Sequence, residues 1–212
     1  MKKIASLFQR NYDGDRLVRD EVVPGSEWVL AGEGFPTRKY DGTCCMVKGG
    51  VLYKRYDAKQ GKEPPWGFVP AQDPDPVTGH WPGWIEVGNG SDDKWFREAA
   101  PGKWPKVALG DGTYELIGPK VNGNNECLST HTLIKHGITV LPFSLRTFEG
   151  IKHYLGDGLI EGIVWHHQDG RMVKIKARDF GIKRRRLVTI NQMIGLLVLL
   201  ALLFCGCSSP TA

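Results

Sequence analysis

A chain of 212 residues with 41% hydrophobic and 24% charged residues has the composition of a globular protein, which excludes a wholly disordered chain. Its length suits one domain with a real core and is tight for two. The net charge of +5 suits a polyanionic partner, but an excess of this size does not by itself identify one. The five cysteines form no Cys-x-x-Cys pair and complete no zinc-site spacing with histidine, so we expect reduced thiols in a cytosolic protein.

In chain order, the first half of the sequence predicts short β-strands separated by loops. Strands are expected at 27–30, 44–47 and 51–55, and Gly49-Gly50 between the last two predicts a tight hairpin turn. Residues 61–91 are so rich in proline, glycine and tryptophan that no helix is expected there. We interpret this segment as a long ordered loop or lid.

The second half of the sequence predicts two helices and three strands. They are a helix at 92–100 with an acidic cap, a strand at 113–117, a helix at 128–136, and strands at 160–166 and 172–176 joined by a turn at 168–171. Together the elements predict an α+β fold of mainly antiparallel sheets with flanking helices.

The last predicted hairpin carries charges where a core strand would not. Lys174 and Lys176 share one face of their strand, and Ile175 points the other way. Two neighbouring ammonium groups repel each other unless an anion lies between them, and a triphosphate or a nucleic acid backbone is such an anion. The turn also brings Glu161 close to Lys176. For this strand taken alone, a solvated outer face remains the alternative interpretation.

Four segments in this order resemble the motifs of covalent nucleotidyltransferases. Residues 39–42, Lys-Tyr-Asp-Gly, match the Lys-x-Asp-Gly nucleophile motif, and residues 114–118, 161–164 and 174–176 match the third, fourth and fifth motifs. Over residues 30–182 the chain resembles the ATP-dependent RNA ligases of animals and of viruses of bacteria. The longer stretches 38–45 and 114–120 and the Pro/Trp loop at 73–84 support that group.

The resemblance implies a fold, an activity and cofactors. It implies a nucleotidyltransferase (ATP-grasp-like ligase) core in residues 1–186, followed by an apolar tail at 187–212. The implied activity joins RNA 5′-phosphate and 3′-hydroxyl ends, with Lys39 attacking the α-phosphate of ATP to form a lysyl-AMP intermediate. The implied cofactors are ATP and Mg²⁺, with Mn²⁺ as an alternative metal. The localisation that we expect is cytoplasmic, and the sequence leaves the oligomeric state open.

The same resemblance implies roles for individual residues. Lys39 is the catalytic residue. Nucleotide contacts are implied for Thr37, Arg38, Lys39, Arg55, Glu115, Glu161, Lys174 and Lys176. Within this set Glu115 is expected on the ribose, Glu161 is our first choice for a metal contact, and Lys54 and Arg55 are expected on the RNA 5′-phosphate.

Physical chemistry explains why the implied site needs these residue types. An amine attacks only when unprotonated, and neighbouring cations favour that form, with Lys174, Lys176 and a metal ion as candidates. The guanidinium of Arg55 offers a bidentate fork to phosphate. Asp41-Gly42 is expected to form a tight turn that presents Lys39, because glycine accepts backbone conformations that a side chain forbids.

Two features differ from related enzymes, and the roles of some aromatic and histidine residues are not assigned by the resemblance. Cys44 stands where DNA ligases commonly carry arginine, and too few residues follow Lys176 for the usual OB-type domain. The aromatic that stacks on adenine has three candidates, Phe143, Phe148 and His131. His166 and His167 point to opposite faces of a strand, so a surface or packing role is expected for them.

Other functions remain as alternatives. They are GTP-dependent RNA capping, nucleotide modification of a protein, DNA nick ligation, and non-catalytic nucleic acid binding. A basic stretch at 183–186 precedes an apolar run at 193–207, which is shorter than the ~20 residues that span a bilayer comfortably. That tail is a membrane anchor, a buried terminal helix or a coding junction, and the first would tether the protein to a membrane.

Overall fold

The computed structural model describes residues 1–59, 61–142 and 144–185. Twelve strands lie in these residues: β1 Ala5–Ser6, β2 Phe8–Arg10, β3 Val18–Val22, β4 Phe35–Lys39, β5 Thr43–Lys48, β6 Val51–Ala58, β7 Val69–Pro70, β8 Trp81–Glu86, β9 Gly112–Ile117, β10 Thr132–Lys135, β11 Gly162–His166 and β12 Met172–Lys176. Two α-helices accompany them, α1 Lys94–Ala99 and α2 Phe148–Leu155. The α+β class with mainly antiparallel sheets is confirmed.

The described residues also contain four short 3-10 helices. They are Glu27–Val29, Ser91–Asp93, Asn122–Asn124 and Ala177–Phe180. The helix at Ser91–Asp93 leads directly into α1, and the one at Ala177–Phe180 directly follows β12.

The first sheet has four strands in the order β1-β12-β11-β4. Its β11–β12 and β11–β4 pairs are antiparallel, and β1 joins β12 in parallel. One face buries Ile163, Trp165 and Ile175, which are fully inaccessible, in a core that also includes α2 and the β2–β3 hairpin. Because side chains alternate along a strand, the residues next to these three in β11 and β12 project from the opposite face of the sheet.

The second sheet has six antiparallel strands in the order β10-β9-β5-β6-β8-β7. One face packs Cys45, Leu52 and Leu116 into a second core together with Phe96 of α1. The other face carries Cys44, Arg55 and Glu115, which line a cavity together with the first sheet. The chain passes between the sheets where β4 ends and β5 begins.

The structure confirms several predicted elements. The strands at 113–117, 160–166 and 172–176, the hairpin at Gly49-Gly50 and the helix at 92–100 are all present within a residue or two. In the α1 region, the predicted acidic cap makes no capping hydrogen bond, because the carboxylate of Asp93 binds Lys54 instead.

Three predicted elements were wrong. Residues 27–29 form a turn of 3-10 helix with Trp28 and Val29 buried, so their apolar side chains serve the core without strand pairing. Residues 61–91 contain β8, which pairs with β6 along six residues and accommodates Pro82. Residues 128–136 contain β10 in place of a helix, because pairing with β9 along four residues overrides local preference.

The membrane alternative rests on residues that the structure does not describe. Among the described residues no helix is both long enough and apolar enough to cross a membrane. The apolar run at 193–207 and Arg186 of the basic stretch lie outside those residues.

Candidate active site

The cavity between the two sheets has a volume of about 280 Å³. The first sheet lines it with Thr37 of β4, Val164 of β11 and Lys174 of β12. Val164 pairs with Thr37 on one side and with Lys174 on the other, so the three side chains share one face. The second sheet contributes Glu115 and Arg55. Six of the eight predicted nucleotide-binding residues line this one cavity: Thr37, Arg38, Lys39, Arg55, Glu115 and Lys174.

The two remaining predicted residues, Glu161 and Lys176, are linked to Lys39 through the Glu161 carboxylate. The carboxylate of Glu161 contacts the Lys39 Nζ at 2.5 Å through Oε2 and the Lys176 Nζ at 2.6 Å through Oε1. Gly162 lies between both lysines in the sheet, paired with Lys39 on one side and with Lys176 on the other. The fourth and fifth motif segments therefore meet the nucleophile motif through one shared carboxylate.

The pKa of Lys174 lies well below its ordinary value. Burial lowers its pKa to about 8, and the positive charges of Lys176 and Lys39 act in the same direction. No hydrogen bond or ion pair to its ammonium group is found among the described residues. An anion in the cavity would supply the missing countercharge.

The turn after Lys39 is held by side chains from residues 122–126. The Asp41 carboxylate accepts hydrogen bonds from Asn122 at 3.0 Å and Asn125 at 2.7 Å, and the Asp41 amide donates to Glu126 at 3.0 Å. Sequence reasoning missed this network, because residues separated by more than 80 positions leave no local signal of contact.

Gly42 is required at this turn for a reason different from the expected one. Its φ lies outside the left-handed region, so conformational freedom does not explain it. A Cβ atom at this position would lie 2.2 Å from the Leu116 carbonyl oxygen and 2.7 Å from Ile117 Cγ2. The glycine therefore lets β5 start against the end of β9 at close range.

Thr37 and Arg38 reach the cavity in different ways. Thr37 is buried, and its hydroxyl donates to the Val164 carbonyl and lies 3.0 Å from His166 Nε2. The guanidinium of Arg38 forms a 2.6 Å ion pair with Glu126 and lies over the Tyr40 ring. The positive charge of Arg38 is therefore already compensated by Glu126.

The structure separates the predicted phosphate-binding pair. Arg55 lines the cavity, lies over the Trp84 ring and donates to the Met1 carbonyl at 2.8 Å. Lys54 projects from the opposite face of β6 and binds the buried carboxylate of Asp93. Adjacent strand residues must diverge in this way, so the structure does not bring Lys54 to the site.

His136, His166 and Cys44 are among the cavity residues that were not predicted from the sequence. His136 contacts the Glu115 carboxylate at 2.8 Å, and His166 stacks on Phe35 and lines the wall. Burial lowers the pKa of His166, which keeps its ring neutral to lower pH. Cys44 lines the cavity next to Glu115. The alternation of β11 gave a signal for His166, since it shares the face of Val164.

The expected adenine-stacking residues lie elsewhere. Phe148 packs on Phe8 and Phe180 in the first core, and His131 is buried against Trp95. Phe143 lies outside the described residues. Side chains that a nucleotide base could contact in this cavity are those of Tyr40, Val164, His166 and Met172.

Comparison with known proteins finds similarity to RNA ligase 1. A family model described as RNA ligase 1 matches residues 98–192. The chain is 26% identical to RNA ligase 1 of Pongo abelii over 70% of this chain and 67% of that protein. It is 28% identical to RNA ligase 1 of Mus musculus over 69% of this chain and 66% of that protein. The chain is therefore similar to RNA ligase 1 proteins over about two thirds of their length, and the segments described above lie around one cavity.

Proposed function

We propose that this chain is an ATP-dependent RNA ligase that joins 5′-phosphate and 3′-hydroxyl ends through AMP bound covalently to Lys39. The observation that carries the proposal is the position of the Lys39 amine, on a cavity wall beside Lys174, with its carboxylate partner shared by Lys176. The two sheets around the cavity would form the nucleotidyltransferase (ATP-grasp-like) core, within a ligase domain of residues 1–186.

The proposed reaction has three steps. The lone pair of the neutral Lys39 amine attacks the α-phosphorus of ATP, the bond to the bridging oxygen breaks, pyrophosphate leaves, and the nitrogen loses one proton to solvent. An oxygen of the RNA 5′-phosphate then attacks the phosphorus of the AMP, and the lysine leaves as an amine after its nitrogen takes up a proton. Finally, a 3′-hydroxyl oxygen attacks the activated 5′-phosphate, loses its proton and releases AMP, which leaves a phosphodiester.

The charges around Lys39 suit these steps. Lys174 and Lys176 would bind the phosphates and stabilise the negative charge that develops on them. Glu161 offers carboxylate oxygens, the ligand type that Mg²⁺ prefers, and is the residue that would hold this ion. Mg²⁺, when bound, neutralises phosphate charge. Glu161 now binds two ammonium groups, so an ion there would replace one of them.

A basic groove next to the cavity supports an RNA substrate. Its cations share the groove that continues from Lys174: Lys3, Arg10, Arg16, Lys174, Lys176 and Arg178. The acid in this groove, Asp179, is already paired with Arg10. Tyr12 also lines it with 75% of its surface exposed. Clustered cations bind a phosphate backbone, and an exposed ring stacks on an unpaired base.

The proposal is tested by incubating purified protein with Mg²⁺ and α-labelled ATP or GTP, followed by denaturing electrophoresis and then by addition of 5′-phosphorylated RNA or nicked DNA. We expect label from ATP that is stable to alkali and labile to acid, and joining of RNA ends. Label from GTP alone would favour RNA capping, and joining of DNA alone would favour a DNA nick ligase. Absence of label from both nucleotides would overturn the proposal.

The opposite faces of Lys54 and Arg55 provide a matched pair of variants. We expect Arg55→Ala to keep self-adenylylation and to slow sealing of RNA by about 100-fold, because the cavity loses a bidentate phosphate donor. Lys54→Met should keep both reactions and lower the free energy of unfolding by roughly 1–3 kcal/mol, because buried Asp93 loses its partner. Single-turnover labelling, sealing assays and urea unfolding measure these effects. Equal loss of both reactions in Arg55→Ala would contradict its role.

The lowered pKa of Lys174 predicts a pH dependence of nucleotide binding. Phosphate binds the ammonium form, and this form is lost as the pH rises through about 8. The affinity for a non-hydrolysable ATP analogue should therefore fall above pH 8, by at most about tenfold per pH unit. Calorimetry from pH 7 to pH 9 measures this fall.

Lys174→Arg is the matched control for that titration. The guanidinium stays protonated across the whole range, so this variant should bind the analogue with nearly constant affinity. A wild-type profile that parallels the Lys174→Arg profile would show that Lys174 does not bind the phosphates.

A further inference from the structure

Three side chains that commonly bind metal ions meet in the cavity wall that is formed by the second sheet. Cys44 on β5 lies directly opposite Glu115 on β9, and His136 follows the last residue of β10. The Cys44 sulfur, a Glu115 carboxylate oxygen and a His136 ring nitrogen all lie within 4.8 Å of one another. Two of the groups lie on adjacent strands of one sheet and the third directly follows the next strand, which is a rigid arrangement for a binding site.

We propose that Cys44, Glu115 and His136 form a binding site for Zn²⁺ with its fourth coordination position open to the cavity. Ligand atoms around tetrahedral zinc are roughly 3.3–3.8 Å apart, so small side-chain rotations are enough to close the site. A thiolate and an imidazole select zinc over Mg²⁺, which prefers oxygen ligands alone. The site is therefore chemically distinct from the Mg²⁺ contact proposed at Glu161.

The surroundings of His136 support this assignment. Its Nε2 faces Glu115 at 2.8 Å, and its Nδ1 lies 3.0 Å from the Thr113 hydroxyl oxygen. In the tautomer whose Nδ1 donates to Thr113, the Nε2 lone pair would bind the metal in place of its present contact with Glu115. A metal-bound histidine usually has such an oxygen partner for its other nitrogen, which fixes the ring orientation.

The charges of the site also match a divalent cation. Burial raises the pKa of the Cys44 thiol to about 12, with the negative charge of Glu115 contributing, so the metal-free thiol is protonated and neutral. Zn²⁺ would displace the thiol proton to solvent and bind the thiolate. The thiolate and the Glu115 carboxylate together carry two negative charges, which the ion cancels within the cavity.

The position of the site has a consequence that rests on the proposed function. The same cavity holds Lys39, and Glu115 is the residue expected on the ribose of ATP. Zinc and nucleotide would then compete for Glu115, so bound zinc would block adenylylation. The metal site itself does not depend on this consequence.

Cobalt titration of the metal-free full chain tests the site without any adenylylation assay. Co²⁺ reports a thiolate ligand through a near-ultraviolet charge-transfer band, and Zn²⁺ should abolish that band by displacement. We expect the wild type to bind one Co²⁺ ion per chain tightly and to show the band. Cys44→Ser should lose the band, and Cys127→Ser, which removes a cysteine outside the cluster, should keep it.

A second variant guards against misfolding of Cys44→Ser. Thr113→Val keeps all three ligands and removes only the oxygen partner of His136, so metal affinity should fall by about 10- to 100-fold with the band intact. Circular dichroism shows whether each variant is folded. A band that persists in folded Cys44→Ser, a wild type without the band, or unchanged affinity in Thr113→Val would overturn the zinc site. Failure of ATP labelling alone would instead overturn the proposed function.

Discussion

Replacing Lys39 with alanine is expected to abolish covalent labelling of the protein by α-labelled ATP. The amine is the proposed nucleophile, and the other lysines at the cavity cannot replace it in the same position. The fold should survive, because Glu161 keeps Lys176 as a partner when Lys39 is removed. We therefore expect the free energy of unfolding to change by no more than about 1–2 kcal/mol.

Two further variants make this result specific. Lys39→Arg retains a positive charge near Glu161 but has no amine that becomes neutral, so it should be folded and unlabelled. Lys48→Ala removes an exposed lysine at the end of β5 and should be labelled like the wild type. Normal labelling of folded Lys39→Ala would remove Lys39 from the mechanism.

The second large effect is expected from Gly42→Ala, which adds only one methyl group. That carbon would lie 2.2 Å from the Leu116 carbonyl oxygen, a backbone atom that cannot rotate away. The start of β5 must shift, and the turn that connects it to Lys39 shifts with it. We expect a loss of roughly 1–3 kcal/mol in unfolding free energy and a fall of about 100-fold in the labelling rate.

Gly90→Ala is the matched control for this substitution. Gly90 has a φ of −64°, and a Cβ atom there would meet nothing within 4 Å. Such a change leaves stability equal or slightly raised. Urea unfolding and single-turnover labelling compare the two variants. Wild-type stability and labelling in Gly42→Ala would show that the close approach to Leu116 is unimportant.

The part of the site that lies on one hairpin was predictable from the sequence. Strand alternation placed Lys174 and Lys176 on one face, and the turn at 168–171 fixed their nearness to Glu161. The same rule predicts opposite faces for Lys54 and Arg55, so the sequence contained the signal that separates them. The resemblance gave them a shared role in spite of that signal.

Contacts between distant segments were not predictable in this way. The pairing of β10 with β9 determines that residues 132–135 form a strand and that His136 reaches the cavity. Glu126 binds Arg38, Arg184 and the amide of Asp41, three groups spread over most of the chain. A single sequence contains no local pattern for such contacts, because tertiary packing decides them.

Identification of the residue that carries the AMP would show whether Lys39 is the nucleophile. The wild-type protein would be incubated with ATP and Mg²⁺, digested under alkaline conditions and analysed by peptide mass spectrometry. We expect one AMP adduct, on the Lys39 side chain. An adduct on Lys174, whose pKa of about 8 also favours the neutral amine, would contradict the assignment of the nucleophile. A protein without any adduct would contradict the ligase mechanism as a whole.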